Sequence, residues 1–79
     1  MEFKFEHDRN TFVLFNEGDN VEIYNPRTDF SGFAKFPAIG CRVEVEVPMG
    51  PTFIVSRGFR DNGISVSVKT EKLLVLNQQ

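Results

Sequence analysis

The chain has no tryptophan, one cysteine (Cys41), one histidine (His7) and no long apolar run. Each shortage excludes something. A single cysteine rules out a disulfide within the chain and suits a reducing compartment. Cys41 and His7 are the only soft ligands, and structural zinc usually wants four, so no metal site is expected. The longest apolar runs, such as Phe12–Phe15 and Leu73–Leu76, are four residues long, far short of a membrane span. The opening stretch MEFKFEHDRN is charged and alternating, without the apolar core of a signal peptide. A cytoplasmic location is therefore the expectation, with no membrane partner.

Catalytic groups are equally scarce. Nucleophilic catalysis needs a base held against a nucleophile. His7 lies in a charged N-terminal segment and is expected as an exposed strand residue, and no Gly-x-Ser-x-Gly elbow occurs. Glu44 and Glu46 fall on one face of one strand, about 7 Å apart at the ~3.4 Å rise per residue. Arg42 shares that face, so the three read as a solvated surface and not as an acid–base pair. No phosphate-binding glycine loop is present. The expectation is a protein that is not an enzyme, with no cofactor and no small-molecule substrate identified.

What is present is β pattern. The chain of 79 residues is sized for one domain, and its nine Phe and one Tyr form a heavy aromatic load. Apolar and polar residues alternate at Glu2–Glu6, Val21–Ile23, Cys41–Val47 and Ile64–Lys69, as in half-buried strands. Thr11–Phe15 and Leu73–Leu76 are continuous apolar runs, suited to fully buried strands, or in Leu73–Leu76 to a helical turn. Turn residues fall between them: Asn16–Asp19, Asn25–Asp29, Pro37–Gly40 and Pro48–Pro51. Asn62-Gly63 has type I′ hairpin chemistry. Centring a two-residue turn there sets Phe59 opposite Val66 and Arg57 opposite Val68; Phe53, Val55 and Phe59 then share one face, with Arg57 its odd polar member and Gly58 as a bulge. Phe30, Phe33 and Phe36 are spaced by three around Gly32, which predicts a bulged or kinked strand, with a short helical turn as the alternative. The expected architecture is all-β: a small SH3-like or related barrel or sandwich of about seven short antiparallel strands. It spans residues 1–76 as one domain, with a polar tail at 77–79 that frays.

Gly18-Asp19-Asn20-Val21-Glu22-Ile23 resembles the opening strand of SH3-like barrels of the KOW type. Ser31-Gly32-Phe33, the strands at 41–47, 52–57 and 64–69, and Leu73–Leu76 follow in the order of that family. The resemblance covers roughly residues 18–76, and the two strands before it are a departure. It implies a binding module for nucleic acid or protein. Asp29-x-Ser31-Gly32 also resembles part of the PilZ cyclic-dinucleotide motif. Its glycine is one position early and the paired N-terminal arginines are missing, so that reading is set aside.

The charge is uneven. Residues 1–29 hold seven acids and three bases, and residues 30–79 hold six bases and four acids, within a net charge of −2. A mildly acidic chain lacks the general basic stripe of a nucleic-acid binder. The first expectation is therefore a protein partner, met as an adaptor, an inhibitor or a self-associating subunit (a homo-oligomer). Acids at Glu17, Asp19, Glu22 and Asp29 would suit an inhibitor of a basic groove. The alternative is single-stranded RNA or DNA on a basic–aromatic face. Candidate partner-binding residues are Tyr24, Arg27, Phe30, Phe33, Lys35, Arg57, Phe59 and Arg60. Aromatics beyond the needs of so small a core mark Tyr24, Phe30 and Phe33 around the 25–29 loop, Lys35 lies between Phe33 and Phe36, and Arg57-Gly58-Phe59-Arg60 supplies guanidiniums beside a ring.

Overall fold

A computed structural model describes residues 1–58 and 63–69. Phe59, Arg60, Asn62 and Leu73–Leu76, all used in the sequence reading, lie outside the described residues. The described chain is all-β. Seven strands run in order: β1 (Glu2–His7), β2 (Asn10–Glu17), β3 (Asn20–Asn25), β4 (Phe30–Lys35), β5 (Arg42–Glu46), β6 (Thr52–Arg57) and β7 (Ile64–Val68). They form two antiparallel sheets, β1-β2-β3-β4 and β5-β6-β7, and each strand pairs with its neighbour in sequence. Among the described residues neither sheet closes into the barrel that the SH3-like expectation called for. No helix among the described residues is long and apolar enough to cross a membrane.

Alternation puts one face of each sheet into a shared core. Phe12, Leu14, Val21 and Ile23 come from the first sheet, and Val45, Phe53 and Val55 from the second. Phe53 is the meeting point: its ring packs at 5.0 Å from Phe12 and 5.3 Å from Phe5, edge to face. Such aromatic pairs add to the burial energy by about 1 kcal/mol each. His7, expected on an exposed strand surface, is half-buried because its ring lies edge-on to Phe53 at 5.9 Å. Its place in the strand, two residues after Phe5, puts it on the inward face.

The turns follow local chemistry. Gly18 has φ 60° at the first central position of the β2–β3 hairpin, where glycine carries no steric penalty. The Asn16 side chain braces this turn by donating to the Gly18 and Asn20 carbonyls. Between β3 and β4, the Asn25 carboxamide accepts from Arg27 N at 2.9 Å, and Asp29 N donates to the Asn25 carbonyl at 2.8 Å.

Three expectations of local geometry are corrected. The β6–β7 register pairs Arg57 with Ile64, Val55 with Val66 and Phe53 with Val68. The expected register was four residues away. Sliding by four preserves every side-chain face, and the observed choice sets two buried β6 residues against apolar β7 partners, not against the polar stretch beyond Val68. Gly58 is consequently no bulge: β6 ends at Arg57, and Gly58 N donates to the Gly63 carbonyl at 2.8 Å. β4 is likewise unbulged, since its pairing with β3 is regular from Asn20↔Lys35 to Asn25↔Phe30. The three-residue spacing of the phenylalanines places neighbours in the series on opposite faces: Phe33 points outward and Phe36 inward.

The sheets approach most closely where β4 crosses β5. A methyl group on Gly32 would lie 2.1 Å from the Glu46 carbonyl oxygen. Glycine here admits a second backbone where any side chain would collide.

Candidate functional site

The outer face of the first sheet, turned away from the core, holds the residues that the core leaves unused. Cross-strand register aligns Glu2, Phe15, Glu22 and Phe33 in one row over β1, β2, β3 and β4. Acid and aromatic alternate along it. At a strand spacing of about 4.8 Å, the two rings stand roughly 10 Å apart with Glu22 between them. Phe33 is 69% exposed and Phe15 37%. A depression of about 250 Å³ lies there, bounded by Phe15, Glu17, Asn20, Glu22 and Phe33. Next along the sheet, Lys4, Val13, Tyr24 and Ser31 form a parallel row.

The expected site residues separate into groups. Phe33 and Lys35 share the outer face of β4, with Lys35 across from Asn20 at its end. Tyr24 is half-buried on the same face, and its hydroxyl donates to Asp29 Oδ1 at 2.5 Å. That hydrogen bond, reinforced by desolvation and by the charges of Asp29 and Glu22, holds the phenol above its ordinary pKa of 10.0. Arg27 is exposed in the β3–β4 loop. Phe30, 40% exposed, begins β4 in the inward-facing register beside the same loop. Phe59 and Arg60 lie outside the described residues.

Arg57 has a different place. It projects from the end of β6 to the β2–β3 turn, donating from Nη1 to the Gly18 carbonyl at 2.7 Å and from Nη2 to Asp19 Oδ1 at 3.0 Å. Its guanidinium lies 5.0 Å from the centre of the Phe36 ring, and its side chain is 12% exposed. All these contacts are intramolecular and tie the second sheet to the first. The odd polar member of an apolar face thus has a structural account: Arg57 closes one end of the core.

Phe15 and the placement of Glu22 beside it were missed. The run Phe12–Phe15 reads as wholly buried, yet strand parity carries the answer. If Phe12 and Leu14 face inward, Phe15 faces out, and Glu22 across from it confirms an outer position. Of the four acids grouped from the sequence, Glu17 and Glu22 border the depression. Asp19 and Asp29 are bound to Arg57 and Tyr24.

Among the described residues, no three His, Cys, Asp or Glu side chains gather as metal ligands. Comparison with protein-family models, curated proteins and solved structures gives no match for this chain.

Proposed function

We propose that this protein is a non-catalytic β module that binds a protein partner through the outer face of its first sheet. The observation that carries the reading is the row Phe15–Glu22–Phe33. Two exposed rings flank a carboxylate in a shallow depression on a regular, well-paired sheet. Exposed aromatics on a rigid face are the usual anchors of protein interfaces. Glu2, Glu17 and Glu22 bias this surface toward a partner whose contact residues are cationic. A lysine or arginine stem fits between rings with its charge at Glu22.

The resemblance to KOW-type SH3-like modules points to the same broad role, binding without chemistry. The nucleic-acid alternative draws on Phe33 and Lys35, which share the face. It is weakened by the intramolecular engagement of Arg57 and by the acids around the rings.

The test is a comparison of wild type with Phe33→Ser. Phe33 is mostly solvated, so the substitution leaves stability within about 0.5 kcal/mol. Proteins captured by wild type from extracts of the source cell are expected to be lost with Phe33→Ser. Equal capture by both proteins refutes the face. Oligonucleotide binding that falls steeply with salt and is lost with Lys35→Ala supports the alternative instead. Sizing chromatography over a concentration range separates self-association from binding to another protein.

A further inference from the structure

A second feature stands apart from the aromatic face, at the end of the first sheet. The β1–β2 turn and the β3–β4 loop emerge there side by side, because β2 and β3 are antiparallel and the start of one meets the end of the other. Continuing their register past Val13↔Tyr24 brings Thr11 opposite Pro26 and Asn10 opposite Arg27. Proline has no N–H to extend the ladder. The sheet gives way at this point to a cleft of about 360 Å³ lined by Arg9, Asn10, Thr11, Asn25, Pro26 and Arg27.

Two arginines from separate loops therefore border one cleft. Among the described residues, the ion pairs are Arg57–Asp19 and Lys69–Glu44, and neither cleft arginine takes part in one. The acids adjoining the cleft are Asp8 and Asp29 in sequence and Glu6, across the β1–β2 ladder from Thr11. Asp29 accepts the Tyr24 hydroxyl. Two arginines on one cleft, neither held in an ion pair, repel each other, and an anion between them relieves that repulsion.

The turn itself points the same way. Asp8 and Arg9 form its two central residues with φ 53° and 69°. Asp is tolerated there, but the second position of such a turn is best filled by glycine. A side chain at this left-handed position, where glycine would have none, sets an arginine beside the β3–β4 loop.

We propose that this cleft binds a phosphate group, with Arg9 and Arg27 as its charged jaws and Asn10 and Thr11 as neutral donors. Guanidinium forks match the oxygens of a phosphate, and charge-assisted hydrogen bonds are the stronger kind. The cleft volume is at the lower end of the range for small-molecule sites. A small phosphate ester therefore fits as well as the free ion.

The experiment is an NMR titration that follows backbone amides and arginine side-chain N–H signals. Inorganic phosphate and glycerol 3-phosphate are added separately at constant ionic strength, with sodium chloride as the control. Saturable shifts confined to residues 8–11 and 25–28 are expected with both phosphates and not with chloride. Tighter binding of glycerol 3-phosphate assigns the site to esters; equal binding assigns it to the free ion. Arg9→Gly is expected to weaken phosphate binding about tenfold, the loss of one charge-assisted contact. Its melting temperature is expected to stay level or rise, because glycine relieves the left-handed turn. Arg27→Gln keeps the loop and gives the same loss from the other side. Shifts that chloride reproduces, or an affinity unchanged in both variants, overturn the proposal.

Discussion

Gly32→Ala is the sharpest test of how the two sheets meet. The added methyl carbon would lie 2.1 Å from the Glu46 carbonyl oxygen, 2.7 Å from the Glu46 carbonyl carbon and 3.0 Å from Val45 Cγ1. A carbon and a carbonyl oxygen rest about 3.3 Å apart or more, so β4 and β5 must separate by roughly 1 Å. Two of the three obstacles are backbone atoms, which no change of rotamer can move aside. Val45, fully buried, is at the same crossing. Overpacking of this kind costs about 3 kcal/mol. A domain of this size is stable by roughly 4–12 kcal/mol, so a large fraction of the total is lost. The melting temperature should fall by about 12–24 °C, read from far-ultraviolet circular dichroism because the chain has no tryptophan. Gly18→Ala is the control. Its φ is 60° but nothing lies within 4 Å of the added carbon, so only the backbone penalty of about 1 kcal/mol applies. Gly32 lacks that positive φ, and an alanine free of steric conflict there would stabilise by restricting the unfolded chain. A Gly32→Ala protein as stable as wild type would therefore refute the close crossing of β4 and β5.

Two further outcomes follow from the side-chain contacts. Arg57→Ala removes two hydrogen bonds and a cation–π contact from a largely covered side chain, and should cost about 2 kcal/mol in a urea melt. Asp19→Asn should cost less than about 1 kcal/mol, because the Gly18 carbonyl remains and Asp19 is half-exposed. Tyr24 is the only tyrosine, so its phenolate absorbance reports one site. Its midpoint should be above 10.0, and Asp29→Gly, which suits the left-handed φ of 68°, should return it toward that value. Because the folded-state pKa is the higher one, the associated stabilisation is complete below about pH 10 and disappears as pH rises through the folded-state midpoint.

Strands were legible wherever one face is wet. Arg42–Glu46 and Ile64–Val68 alternate cleanly and fold as read. The Gly18-Asp19 turn was legible for the same local reason. Errors arose where a choice depends on a distant partner. The Asn62-Gly63 signal suggested a register that ignored what Phe53 and Val55 would face. His7 looked solvated because nothing nearby in sequence announces the Phe53 ring. Barrel closure depends on strands far apart in the chain, and periodicity carries no information about it. At the candidate site, Phe33 and Lys35 were found through their composition. Phe15 was hidden within an apolar run, and Arg9 within a turn that lacked the usual glycine. Arg57 was correctly singled out as out of place on its face, but its partners are 38 and 39 residues away.

Strictly sequential pairing has a consequence for folding during synthesis. The first sheet is complete once residue 35 has emerged, and it can zip up hairpin by hairpin as the chain leaves the ribosome. Its inner surface of Phe12, Leu14, Val21 and Ile23 is then only partly covered when β5 brings Val45, and is closed over when β6 brings Phe53 and Val55. For that interval of about twenty residues, the nascent chain is a half-built sandwich with an apolar face open to its surroundings. The arrival of Arg57, the final residue of β6, marks the end of that exposure: the residue that latches the two sheets is also among the last needed to hide what the first has left bare.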